Sequence, residues 1–357
     1  MNKLLVARNE IDAIDKELAN LYEKRMQAVV KVAQYKKENV MPIFDESREK
    51  AVIEKNTAYL SDDSLKSGYV KVLNKLMEVS KDYQRQAIYG NSIGYQGILG
   101  AFSHIAAKRL FPDSNLLSYS SFRHVVDAIE EGTINAGILP FENSSAGEVG
   151  DVMNLLFKHP DLYIEAYYDL KVEQNLLGIK GAKREEIKKV YSHQQALDQA
   201  SNYLRHRGYE LISYPNTALA ASFVSEKGDF DKAAIASKET AEIYGLDILE
   251  DNIQNIDSNY TRFVIVSKKP HNTGEKTGIF FTVKNEAGCL AEIINIISAS
   301  GFNMSSLISH AMPELPWEYY FFVQLDCSSD TDDYRQMAQE LIKHCQSYRC
   351  IGSYSKI

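Results

Sequence analysis

Long apolar runs are missing from this chain. No segment of the 357 residues approaches the roughly 18 to 20 consecutive apolar residues that a bilayer-crossing helix requires, and mean hydropathy is -0.31. A membrane protein is therefore excluded. The opening MNKLLVARNEID meets charged residues after only a few apolar ones, which is not the pattern of a secretory signal. Cysteine is scarce and lopsided: Cys289, Cys327, Cys345 and Cys350 are all the chain has, with no CxxC spacing and no paired histidines nearby. Neither a disulfide framework nor a zinc site is indicated, and a reducing cytoplasm is the expected setting. Excess positive charge is absent too. The chain has 40 Lys and Arg against 48 Asp and Glu, a net of -8, and without basic stripes it does not read as a nucleic-acid binder.

Residues 1–90 lack helix breakers: the first glycine is Gly68, and Pro42 is the only proline before Pro112. The length implies two or three domains, and the first, residues 1–90, reads as all-helical. An apolar row runs through Ile11, Ile14, Leu18 and Leu21 and continues through Arg25, Ala28, Val32 and Tyr35. Its steps of 3 and 4 are those of a coiled-coil seam. The spacing predicts one helix over residues 3–39, a second opened by Asp45 as N-cap, and a third over 64–89 with Val70, Leu73, Met77, Ser80 and Gln84 in its row. A first helix about 55 Å long cannot bury its seam against two shorter ones, so a homodimer or higher homo-oligomer is expected.

Polar residues break this apolar pattern. Arg25 lies in the first seam, Ser80 and Gln84 in the third, and Arg8, Lys36 and Arg48 add cations to the same module. An unpaired guanidinium in an interior is prohibitively costly, so an anion must meet it. For Arg25 alone an internal Arg–Glu pair or a register-setting polar residue serves equally well. For the set, a pocket gripping a compact dicarboxylate is the better account.

The stretch LVARNEIDAIDKELANLYEKR, followed by KKEN and DESRE, resembles the all-helical class of chorismate mutase, an intertwined dimer. The resemblance implies that Arg8 reaches into the partner's pocket and that Arg25 and Arg48 bind the carboxylates of chorismate. It further implies that Lys36 and Gln84 hydrogen-bond the ether oxygen, Asp45 and Glu49 hold the hydroxyl region, and Ser80 holds a carboxylate. The rearrangement to prephenate is pericyclic, so it needs conformational restraint and charge stabilisation rather than a nucleophile.

From Ile93 short strands alternate with helices: IGYQGI, LLSYSS, AGILPF, KKVYSH, YELISYP, AAIAS and TRFVIVSK. This is α/β, expected as two lobes over residues 91–269, with polar residues at strand ends where open sheets bind ligands. The clusters are Ser103 with His104; Glu142, Asn143, Ser144 and Ser145; Ser192, His193 and Gln199; and Thr261 with Arg262. Taken singly they are ordinary turn and cap residues. Together, ENSSAG and NYTRF resemble prephenate dehydratase, whose lobes are similar to periplasmic binding proteins; Gln194 departs from the usual SHPQ. The resemblance implies that Thr261 donates to the departing hydroxyl of prephenate, while Ser103, Asn143, Ser144, Ser192 and Gln199 position it. Two roles are open to Arg262: a substrate carboxylate, or strand fixation through Glu142. His104 and His193 are expected as structural hydrogen-bonders.

KKPHNTGEK (268–276) reads as a linker. The final residues, 277–357, read βαββαβ, the ferredoxin-like plan. NEAGCLAEIINIISASGFNMSSL resembles an ACT domain, which implies phenylalanine as effector at a dimer interface, with Gly288, Leu290 and Asn303 around it. Of the family's Glu-Ser-Arg-Pro stretch, which falls on Ile308 to Ala311, only Ser309 remains. The expectation is a bifunctional enzyme of phenylalanine biosynthesis that requires no metal or organic cofactor. The alternatives are a non-catalytic sensor of small acids and an enzyme with only one live site.

Overall fold

The computed structural model describes residues 3–38, 45–89, 91–312, 315 and 317–357. It divides into two compact units, Met1–Asn91 and Ser92–Ile357.

The first unit is helical: α1 (Lys3–Glu38), α2 (Glu46–Thr57) and α3 (Lys66–Tyr89), the last entered by a short turn of 3-10 helix. Asp45 caps α2, its carboxylate accepting from the Arg48 amide at 3.0 Å. The segment joining α1 to α2, which includes Asn39 of KKEN, lies outside the described residues. α1 and α3 pack together, burying apolar Met26, Val29, Ala33, Leu73 and Met77 and, on α3, polar Ser80 and Gln84. The front half of the α1 seam is bare, with Ile11, Ile14, Leu18 and Leu21 all 56–63% exposed.

The second unit starts with β1 (Ser92–Gln96), α4 (Phe102–Leu110), β2 (Asn115–Tyr119), α5 (Phe122–Glu131) and β3 (Ala136–Asn143). The two-residue β4 (Gly147–Glu148), α6 (Gly150–Lys158) and β5 (Tyr163–Lys171) follow. A second lobe holds β6 (Asn175–Gly178), β7 (Lys189–Ser192), α7 (Gln194–Gln199), α8 (Ser201–Leu204), β8 (Glu210–Ser213) and α9 (Thr217–Lys227). It is completed by β9 (Lys232–Ala236), α10 (Lys238–Tyr244) and β10 (Asp247–Glu250), and β11 (Tyr260–Ser267) returns to the first lobe. The C-terminal part is β12 (Lys276–Thr282), α11 (Cys289–Ala299), β13 (Met304–Ala311), β14 (Tyr319–Leu325), α12 (Asp332–His344) and β15 (Ser347–Lys356), the predicted βαββαβ order.

The second lobe has its own sheet, β10-β6-β9-β7-β8. The other sheet runs β13-β14-β12-β15-β5-β11-β3-β1-β2, because the end of β15 pairs in parallel with β5, Ser355 opposite Ala166. One core continues beneath the junction, with Val264, Phe280, Phe322 and Tyr354 in the same buried cluster.

Two expectations need correction here. β5, β6 and β10 are absent from the strands read in the sequence; β5 carries Glu165 and Asp169, which blur its alternation, and the other two have only four residues each. The 268–276 stretch is also no free linker. The Ser353 amide donates to His271 O at 2.7 Å, and the Gly274 amide donates to Ser328 Oγ at 3.1 Å. A Cβ at Gly274 would meet the Tyr354 backbone at 2.4 Å, so only glycine fits beneath that strand.

Candidate active sites

In the helical unit, Arg25 of α1 meets Ser80 of α3. Its Nη1 donates to Ser80 Oγ and, at 3.5 Å, to Leu76 O. Burial pushes the guanidinium pKa down, with Tyr22 opposing, and among the described residues Arg25 makes no ion pair. The internal Arg–Glu pair is therefore not what the structure shows. One helical turn beyond Ser80, Gln84 is 8% exposed, and its buried Oε1 has no hydrogen-bond partner among the described residues. Such an orphan costs about 1–3 kcal/mol.

The remaining predicted mutase residues are placed less uniformly. Lys36 is half-buried. Asp45 is held below the usual carboxylate range chiefly by the Arg48 amide, then by the Ser47 hydroxyl, with the charge of Lys36 adding to the effect. Arg48 is exposed, and Glu49 is engaged by Lys81 at 2.8 Å, a cation the sequence reading did not single out. Arg8 is exposed on α1, 17 residues before Arg25 and so about 26 Å away along the axis. It cannot reach the Arg25–Ser80 pair of its own chain.

In the second unit a cavity of ≈ 740 Å³ opens between the lobes. The antiparallel register of β11 on β3 sets Thr261 opposite Asn143, and Asn143 Nδ2 donates to Thr261 Oγ1 at 3.0 Å. The Asn143 amide is fixed in that orientation because its Oδ1 accepts from the Ser145 and Ala146 amides, both at 3.0 Å. Asn143 Nδ2 also lies 3.0 Å from Asn259 Oδ1 and 3.1 Å from Tyr260 O, so its two N–H groups serve three acceptors; with Asn143 on its oxygen, the Thr261 hydroxyl can turn its own proton to the cavity. Ser103, in the first turn of α4, and Gln199 also line the cavity.

Among the described residues no Lys or Arg lines this cavity, while Glu148 and Asp151 do. The ends of three helices line it as well: Ala101 to Ser103 of α4, Val149 to Asp151 of α6, and Asn216 to Thr217 of α9. Neither Ala101 nor Val149 makes a side-chain cap, so first-turn N–H groups of α4 and α6 are left for a ligand. Helix N-termini carry partial positive charge and suit anions.

Three predicted substrate contacts are turned elsewhere; Arg262, next to Thr261 on β11, faces the other side of the sheet. Arg262 forms a two-pronged pair with Asp169 (Nε–Oδ1 2.8 Å, Nη2–Oδ2 3.2 Å), lies 3.7 Å from Glu142, and covers the Tyr167 ring at 4.4 Å. Of its two open roles the strand-fixing one is observed, with Asp169 as the main partner. Ser192 is fully buried and donates to Ile235 O at 2.7 Å. Ser144 locks the loop to β11, donating to Ser258 O at 3.1 Å and accepting from the Tyr260 amide at 2.9 Å. His104 accepts from the Gly100 amide at 3.2 Å, and burial lowers its pKa; His193 lines the cavity but caps α7.

Sequence reasoning missed Gln174, 2% exposed at the crossing between lobes. Its Nε2 donates to Gln199 Oε1 at 3.2 Å, and its own Oε1 is buried without a partner among the described residues. Nothing in the pattern marked it except an amide pair between two strands.

In the C-terminal part Gly288 takes φ +95° at the start of α11, and Leu290 packs on the core behind it. Asn303 lies beyond the other end of α11, about 16 Å along the axis, where its amide donates to Asp326 at 2.6 Å. Ser309 is exposed on β13. A single chain does not bring the predicted effector residues together.

Among the described residues no helix is long and apolar enough to cross a membrane. Family models match at residues 7–85, chorismate mutase type II, and 93–271, prephenate dehydratase. A bifunctional chorismate mutase/prephenate dehydratase of Buchnera aphidicola subsp. Acyrthosiphon pisum (strain APS) is 30% identical over 99% of this chain and 96% of its own length. Two solved structures share the fold of the second unit, each covering 74% of this chain with a TM-score of 0.69. One is GqqA, a novel type of quorum quenching acylase (28% identity, 98% of its own chain); the other is prephenate dehydratase in complex with L-Phe from Arthrobacter aurescens (22% identity, 90% of its own chain). A non-catalytic sensor does not account for a mutase match next to a dehydratase match. The chain belongs to the family of bifunctional chorismate mutase/prephenate dehydratases, enzymes of phenylalanine biosynthesis.

Proposed function

We propose that the two reactions are divided between the two units, with Thr261 at the centre of the second. Prephenate loses carbon dioxide and its ring hydroxyl, and aromatisation supplies most of the driving force. The enzyme's task is to assist the departing hydroxide. Thr261 donates its free proton in a hydrogen bond to that leaving group, while the Asn143 amide, held on its oxygen, supports the charge that develops there. The carboxylates of the dianion meet the uncapped starts of α4 and α6 instead of a guanidinium. Ser103 and Gln199 complete the contacts. The 3.0 Å bond from Asn143 to Thr261 at the cavity wall carries this reading.

For the mutase, the half-buried Arg25, held against Ser80 with no ion pair among the described residues, supports a pocket completed by a dianion. Lys36 and Gln84 donate to the breaking C–O bond, with Arg48 on a carboxylate and Asp45 and Glu49 near the hydroxyl. The exposed seam and the 26 Å offset of Arg8 support a homodimer in which Arg8 serves the partner's pocket.

The C-terminal residues 277–357 serve as an ACT-type module, with phenylalanine at a contact between copies: the Gly288–Leu290 turn of one, and Asn303 and the Ser309 strand of another. The separation of these residues across α11 and the L-Phe complex of the Arthrobacter aurescens relative support this assignment. Purified protein given chorismate, and separately prephenate, tests the division: both should be consumed, with phenylpyruvate as product. Titration with phenylalanine, tyrosine and tryptophan tests the effector, and an unselective response would reject phenylalanine.

A further inference from the structure

α6 lies between the dehydratase cavity and the C-terminal sheet. Its first residues, Gly150 and Asp151, line the cavity, as does Asn154 one turn on. Behind it stands Tyr320 of β14, fully buried, whose hydroxyl donates to Asn154 Oδ1 at 2.7 Å. The Tyr320 ring is stacked on Phe157 of the same helix at 4.0 Å and on His310 of β13 at 5.2 Å, so it has little freedom. Arg349 of β15 binds the far end of α6, donating to Leu156 O at 2.6 Å and to Leu162 O just beyond. The helix is thus held near its start by β14 and at its far end by β15.

The direction of the Tyr320 hydrogen bond matters. A buried phenol proton needs an acceptor, and Asn154 Oδ1 is the one it has. That bond takes one of the two lone pairs of Oδ1 and fixes which way the amide points, so both N–H donors of Asn154 stay available to a ligand. Among the described residues no Lys or Arg lines the cavity and Glu148 and Asp151 do, so a carboxylate entering it depends on neutral donors such as a fixed amide N–H pair.

We infer that Asn154 is a substrate-binding residue of the dehydratase site, donating its amide to a carboxylate of prephenate, and that Tyr320 is its positioning residue, supplied from the C-terminal sheet. This rests on the dehydratase reading above. The C-terminal sheet then forms part of the substrate site's support and is more than an appended sensor.

Steady-state kinetics of the full-length protein on prephenate test this, with mutase turnover as the control for folding. Asn154→Asp, which keeps the shape but presents a carboxylate to a dianion, should raise KM at least tenfold while kcat changes less. Asn154→Ala should raise it severalfold. Tyr320→Phe keeps the ring stack and removes only the hydroxyl; it should raise KM two- to fivefold in the wild-type background and have no effect in the Asn154→Ala background. A wild-type enzyme inactive on prephenate would remove the dehydratase reading itself. With an active wild type, an unchanged KM in Asn154→Asp, or Tyr320→Phe effects that multiply with those of Asn154→Ala, would overturn the inference. A purely structural Tyr320 would lower thermal stability and give that multiplicative result.

Discussion

Thr261 is an unremarkable alcohol whose use depends on its neighbour. An isolated threonine hydroxyl shares its proton among any nearby acceptors, whereas here the Asn143 amide donates to the oxygen, and on the proposed reading the proton goes to the leaving group. Thr261→Val should reduce dehydratase kcat about 10²-fold, and Thr261→Ser should keep most of it. Prephenate turnover with mutase as internal control checks this, and a Val variant at full rate would remove Thr261 from the mechanism. In the helical unit Lys36→Ala should reduce mutase kcat about 10²–10³-fold, on the scale of a lost charge-stabilising donor. Its dehydratase rate on added prephenate should be unchanged. The Ser-Asn-Thr-Arg vocabulary of the second unit was legible as a set of strand-end residues. Which of its members face the cavity was not, because Thr261 and Arg262 differ by one position on a strand and hence by a whole face of the sheet.

At the scale of elements, β11 carries both the hydroxyl proposed as catalytic and the clamp that ties the strand to β5. Burial raises the Asp169 pKa, but hydrogen bonds and charge from Arg262 and Lys356 outweigh it, so the carboxyl is held below its ordinary value. A depressed carboxyl contributes stability that is present above its unfolded pKa and lost as pH falls through the folded one. Arg262→Ala should therefore destabilise the second unit by about 1–3 kcal/mol near neutrality. Denaturant unfolding followed between pH 7 and pH 3 should show the difference from wild type shrinking as Asp169 protonates. A difference independent of pH would mean that the pair does not hold the strand. The same element explains a failure of sequence reading. β5, the partner that supplies Asp169, was unreadable as a strand because its acidic residues answer to side chains on β11 and β15, which are distant in sequence.

At the scale of the whole molecule, the exposed seam of α1 and the reach of Arg8 set the central expectation. Mixing inactive Arg8→Ala and Lys36→Ala chains under conditions that exchange subunits should restore mutase activity, to about a quarter of wild type if exchange is random and each mixed dimer has one intact pocket. No recovery after demonstrated exchange would refute the shared pocket. The amino-acid sequence by itself determined the run of secondary structure in the first 90 and last 80 residues, since helical seams and a βαββαβ alternation are local patterns with short periods. Motif resemblance also supplied the candidate residues of both proposed sites. Tertiary structure alone decided that the starts of α4, α6 and α9 line the cavity, that Arg262 belongs to Asp169, and that β15 joins the C-terminal sheet to β5. Each of these depends on which residues meet across long separations in the chain, and that is fixed by packing and strand register, which no local period encodes.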